Sequence, residues 1–298
     1  MGDQDVPGIA PGDRRMSQGR MSQRRVNPAR RALLGGACAL ALAPLARASD
    51  LPQLRSRGRI RIAVYRDFPP FSDAGRGIDV RIGQALAQAL QLSADVMPFD
   101  ADEKVDDDLR NMVWRGTLLG YGPADVMLHV PVDRAFAQRN PQVRIFAPYF
   151  REKLQLVRNV ARIPQADTLA ALQGQPLGAE DGTLASIVLL AAEGGRLRGD
   201  VQHYRSTGQA LDDLKAGRLA AVMGLRSELE SGMAGADGFA ISDPAAPGIP
   251  AGGWPLGLAV KADDGLLATA LQAAVDDLVG GGQIERIFRE HQVSWARP

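Results

Sequence analysis

The sequence predicts an α/β fold built from two successive sets of strands and helices. Two observations lead there. Short apolar or alternating runs that suit strands alternate along the chain with runs whose apolar residues recur at i, i+3 and i+4. Midway, "VRIFAPYFREKLQLVRN" (143–159) leaves one apolar run, passes Pro148-Tyr149 and enters another, as a chain crossing between lobes would. The alternation then starts afresh.

In order, "RIRIAVY" (59–65) alternates charged and apolar residues and is stopped by "RDFPPF", because Pro69 and Pro70 have no N–H for a ladder. In "GIDVRIGQALAQALQL", Ile82, Leu86, Ala89 and Leu90 share a helical face, with Asp79 as N-cap. "ADVMPF" (94–99) is a second strand, Leu109, Met112 and Val113 mark a short helix, and the largely apolar "ADVMLHV" (124–130) reads as a strand buried on both faces. In the second set, "PLGAEDGTLASIVLLAA" is strand, Gly-Thr turn and helix, "VQHYRS" a strand, and "TGQALDDLKAGRLAAVMG" helix and strand. The Pro/Gly-rich "SDPAAPGIPAGGWP" (242–255) leads back. "LGLAVKADDGLLATALQAAVDDLVGGGQIERIFREHQ" then supplies a last strand and two helices, broken at Gly280–Gly282.

Composition, at 298 residues with 45% hydrophobic and 23% charged, is that of a globular chain. The formal net charge of +1 hides an asymmetry: eight of the 35 Lys/Arg but only three of the 34 Asp/Glu lie in residues 1–48, leaving about −4 beyond them. No basic face forms, which excludes nucleic acid as a partner. Arg24, Arg25, Arg30 and Arg31 precede an apolar run, Ala32 to Leu45, too short for a permanent membrane span. Ala46-Arg47-Ala48 follows as a cleavage site, so residues 1–48 read as a signal peptide directing the chain to the periplasm by the general or twin-arginine route. Met16 and Met21 are alternative starts. The one cysteine, Cys38, lies inside that run, so the mature chain has no disulfide and no thiolate metal site. "DADEKVDDDLR" (100–110) holds six carboxylates but lacks the Gly and terminal Glu of a calcium loop; it reads as the acidic first turn of a helix. No metal or cofactor is expected.

Five motifs stand in a particular order: Phe68-Pro69-Pro70-Phe71, Gly77-Ile78-Asp79-Val80, Phe146-Ala147-Pro148-Tyr149, Gly182-Thr183 and the C-terminal "GLAVKADDGLLATALQAAVDDL…GGGQIERIF". Together they resemble the type II periplasmic solute-binding fold, in its amino-acid-binding branch. That resemblance implies two lobes, each a mostly parallel sheet flanked by helices, joined by two crossover segments around a ligand cleft. Residues 51–149 with 257–298 would form one lobe and 150–256 the other. Within that fold, "DLRNMVWRGTLLGYGPADVMLHVPVDR" (108–134) with "NPQVRIFAPYFREKL" resembles the binding-protein-like component associated with PQQ-dependent (quinoprotein) methanol and alcohol dehydrogenases. This second resemblance implies a non-catalytic accessory role, with the dehydrogenase and its c-type cytochrome as partners.

A buried zwitterion needs each of its charges paired. By resemblance, Phe68 matches the aromatic platform, Gly182-Thr183 the anion-holding helix start, and Asp67 flanks the cleft. Three features depart. His129, Val130 and Pro131 replace hydroxyl residues, Arg134, beside Asp133, lies closer to its strand than the carboxylate-binding arginine of the group, and Gly224 stands where the group places its ammonium-binding Asp. A free amino acid would lose several kcal/mol of pairing. Two roles stay open for most of these residues: cleft ligand or hydrogen-bonded structural group for His129, ligand contact or surface ion pair for Arg134, platform or core for Phe68. Trp114, Arg115 and Tyr121 in the elbow are either a partner-docking anchor or local packing with Leu118 and Leu119. Besides the accessory role, two functions remain: a receptor for a small polar solute serving an ABC importer, and a dehydratase-like enzyme. For the enzyme, Asp67 and Glu180 reach the cleft, but no paired carboxylates are evident.

Overall fold

A computed structural model describes residues 51–246 and 248–298. The proposed signal peptide and Cys38 lie outside the described residues. Ten strands among these form two five-stranded sheets, β2-β1-β3-β10-β4 and β7-β6-β8-β5-β9. The first comprises β1 (Arg59–Tyr65), β2 (Ser93–Phe99), β3 (Val126–Pro131), β4 (Val143–Glu152) and β10 (Trp254–Lys261). The second comprises β5 (Leu154–Asn159), β6 (Leu177–Glu180), β7 (Val201–Tyr204), β8 (Ala221–Leu225) and β9 (Phe239–Ser242). In the first sheet only β10 runs against its neighbours, and in the second only β5 does. This is the expected two-sheet α/β architecture.

Helix periodicity explains the packing. In α2 (Ile78–Ala89), Ile78, Ile82 and Leu86 are fully buried against β1 and β3, at the spacing that puts apolar residues on one stripe. From the chain's end, α8 (Gly265–Gly280) and α9 (Gln283–Glu290) bring Leu271, Ile284 and Phe288 onto the same core. A second core beneath the other sheet gathers Leu156, Leu177 and Met223 with Leu189 of α5 (Leu184–Gly195).

The chain passes between the sheets twice. β4 ends at Glu152 and β5 begins at Leu154, so Lys153 alone separates them; the return occupies 243–253. The two passages touch. A Cβ on Gly253, whose φ is 68°, would lie 1.9 Å from the Glu152 carbonyl oxygen, so only glycine fits there. Glu152 is fully buried, and burial raises its pKa; it accepts the Ser227 hydroxyl and, at 2.9 Å, the Lys153 N–H. The C-terminal tail crosses here too. Ser294 N–H donates to Glu230 of α7 (Arg226–Gly232) at 2.6 Å, Trp295 Nε1 donates to the Tyr149 carbonyl at 2.8 Å, and Arg151 N–H donates to the Ala296 carbonyl at 3.1 Å.

Two local expectations change. Asp79 is not the N-cap of α2; Gly77 is, without a side-chain bond, and Asp79 turns inward, fully buried. The short helix around Leu109 is α3 (Val105–Leu109) running into a π turn, Arg110–Trp114, which keeps Met112 and Val113 buried.

Candidate functional site

Four elements end at one cleft. β1 delivers Asp67, Phe68, Pro69 and Pro70; β6 ends in Glu180; Thr207 opens α6 (Thr207–Lys215); and the first turn of α7 carries Glu228. Two adjoining cavities, about 200 and 290 Å³, share Phe68, Glu180, Thr207 and Glu228. Glu180 Oε2 accepts from Thr207 N–H at 2.9 Å and lies 3.1 Å from Thr207 Oγ1. Glu228 Oε2 lies 3.1 Å from the same hydroxyl and accepts from Leu225 N–H at 3.2 Å. A hydroxyl has one proton, so it cannot donate to both carboxylates at once. The conflict is resolved when Glu228 carries the second proton and donates it to the hydroxyl oxygen. Consistently, burial first, and the Glu180 charge second, push the Glu228 pKa up to about 7.

The sequence-predicted residues divide. Asp67 and Phe68 line the cleft. Phe68 is half-buried, stacked on Phe71 at 5.3 Å and edge-on to His129 at 5.0 Å. Thr183 lines the second cavity, but its hydroxyl is engaged as the cap of α5, donating to the Glu180 carbonyl at 2.7 Å and lying 3.4 Å from Ser186 N. Gly182, with φ 71°, makes the turn before it. Gly224 also lines the second cavity, and a Cβ there would sit 3.5 Å from Glu228 Oε2. Glu228 thus approaches position 224, where the resembled group places its ammonium-binding Asp, and Glu180 and Glu228 form a pair of carboxylates.

His129, Asp133 and Arg134 line neither cavity. His129 belongs to the interior. The β10 register slips around Gly257, and there His129 takes φ 64° and Ala147 φ 50°. Such a bulge re-aims a side chain, and Nδ1 of His129 lies 3.0 Å from the buried Asp79 carboxylate. Tyr149 hydroxyl donates to the other Asp79 oxygen at 2.7 Å and accepts the His129 N–H at 3.1 Å. Burial, then the Asp79 charge, raise the Tyr149 pKa well above its usual value. Asp133 caps α4 (Arg134–Arg139), accepting from Phe136 N–H at 2.7 Å, and both Asp133 and Arg134 are exposed.

In the elbow, Trp114 is half-buried on the cluster of Leu109, Met112 and Phe99. Leu118 and Leu119, 98% and 97% exposed, give it no support. Arg115 is exposed, and the Tyr121 hydroxyl donates at 2.8 Å to the Pro98 carbonyl, which also accepts Arg66. The elbow is therefore folded back along edge strand β2. Replacing Leu118 and Leu119 together by Ser should leave the unfolding free energy from urea titration within about 0.5 kcal/mol of the parent; a larger loss would show that these leucines are covered.

Sequence reasoning named Glu180 but missed Thr207, Arg205 and Glu228. One signal was available for Glu228: an acid three residues after a strand end, in the first turn of the next helix, commonly accepts the preceding backbone N–H. Glu228 does so with Leu225.

No family model matches the chain. An L-arginine-binding protein of Pseudomonas aeruginosa is 28% identical over 272 residues, covering 86% of this chain and 93% of that one. Among solved structures, an ancestral cationic amino acid solute binding protein superposes with a TM-score of 0.65 at 16% identity, covering 81% of this chain and 99% of the other. A Streptococcus pneumoniae amino acid ABC transporter substrate-binding protein bound to L-arginine gives 0.60 at 17%, with 83% and 99% covered. These likenesses overturn the expected accessory role in a PQQ-dependent dehydrogenase system. They run to amino-acid-binding proteins and lend no support to dehydrogenase or cytochrome partners. The chain has the two-sheet α/β fold of type II periplasmic solute-binding proteins.

Proposed function

We propose that this chain is a non-catalytic, exported receptor for a small polar solute bearing a cationic nitrogen, delivering it to an ABC-type permease from the periplasm. One observation carries the reading: two carboxylates, Glu180 and Glu228, converge on a single hydroxyl and face Phe68 across a cleft. Acids with too few donors are completed by a ligand that brings N–H groups, and an aromatic face adds cation–π attraction. The arginine-binding and cationic-amino-acid-binding relatives agree in ligand charge. Among the described residues no helix is long and apolar enough to cross a membrane.

Thermal-shift screening tests this. Basic amino acids and small amines at a hundredfold excess over Kd should stabilise by about 2.7 kcal/mol, a shift of several degrees. Glutamate and neutral amino acids should do nothing. A shift with glutamate alone, or with none of the cations, would remove the reading.

A further inference from the structure

Resting on that reading of the cleft as a cation site, the geometry points to a narrower ligand class: small amines and guanidines without a carboxylate, bound in preference to the amino acids of the same skeleton. The charged residues lining the two cavities are Asp67, Glu180 and Glu228 against one cation, Arg205. An amino acid brings a carboxylate that must find donors inside this acidic lining.

Neither side of the cleft adds a buried cation, although Ser206 and Ser231 line the first cavity. On the first-sheet side, His129 is turned inward onto Asp79, Val130 and Pro131 offer no hydroxyl, and Arg134 stands exposed at the start of α4, outside both cavities. On the second-sheet side, the start of α5 opens on the cavity that holds Glu180 and Glu228, with the Thr183 hydroxyl already given to a carbonyl. An anion there meets the Glu180 charge and, above about pH 7, the Glu228 charge as well, which offset what a helix end contributes. Arg205 is exposed, and a solvated ion pair adds little.

A carboxylate-free cation meets the reverse. Its N–H groups reach Glu180 and Glu228 and supply the donors that the shared Thr207 hydroxyl cannot. Its methylene stem covers the exposed part of Phe68, as apolar stems of long cations do.

Titration calorimetry at pH 7.5 and low salt on two matched pairs decides the matter: agmatine against L-arginine, and 1,5-diaminopentane against L-lysine. The decarboxylated member should bind about tenfold tighter or better in each pair, and R134A should leave the L-arginine affinity unchanged. Equal or tighter binding of the amino acid in either pair, or a tenfold loss of L-arginine affinity in R134A, overturns the preference and leaves the cation reading standing. No binding by any of the four overturns both.

Discussion

Asp79→Ala is expected to remove about 3–5 kcal/mol of stability, because it strips the partner from two buried polar groups at once. The Tyr149 hydroxyl and His129 Nδ1 both meet this carboxylate, in a site with essentially no solvent contact. Neither can turn to water. Asp79→Asn keeps one acceptor and should lose roughly 1–2 kcal/mol. Urea midpoints with unchanged slope measure both. The consequence should extend to the cleft, since Phe68 rests edge-on against His129 and face-on against Phe71, and cation affinity should fall with the order of that platform. An Asp79→Ala protein within 1 kcal/mol of the parent would mean that the network adds nothing.

Glu228→Gln is expected to move stability and ligand binding in opposite directions. The Glu228 pKa rises from 4.5 to about 7 on folding. Below pH 4.5 folded and unfolded chains both hold the proton, and the group leaves stability unchanged. Between pH 4.5 and 7 the folded chain keeps a proton that the unfolded chain has released, so stability falls as pH rises through this window, then levels off. The full effect is at most about 3.4 kcal/mol at 1.36 kcal/mol per pH unit, and nearer 2 because Glu228 keeps some exposure to solvent. Glutamine cannot titrate. The variant should therefore match the parent at pH 4.5 and exceed it by about 2 kcal/mol at pH 8, while its affinity for cations drops at least tenfold because half the acidic pair is gone. Parallel stability curves across pH 4.5–8 would contradict the assignment.

How much of this was legible depended on whether the signal was local. β1 was readable at both ends because its alternation and the following prolines act within a few residues. Asp79 was misread because an acid at the start of an apolar-striped helix looks like a cap whether it faces water or the core. Only the approach of Tyr149, 70 residues away, decides which. His129 could not be placed because its direction depends on a register slip opposite Gly257, which belongs to a partner strand more than a hundred residues on. Glu228 was not legible because the resembled group's acid falls at position 224, whereas here the first turn of the next helix brings a carboxylate close to that position. Trp114 packs inward as one reading held, but on Leu109 and Met112 rather than on the leucines beside it.

The C-terminal tail has a mechanical meaning. Ser294 and Trp295 are adjacent in the chain, about 3.8 Å apart at Cα, yet one is fastened to α7 and the other to β4. A link that short acts as a rivet: α7 and β4 cannot separate there without breaking one of the two bonds. Substitutions that remove either bond would loosen the joint itself.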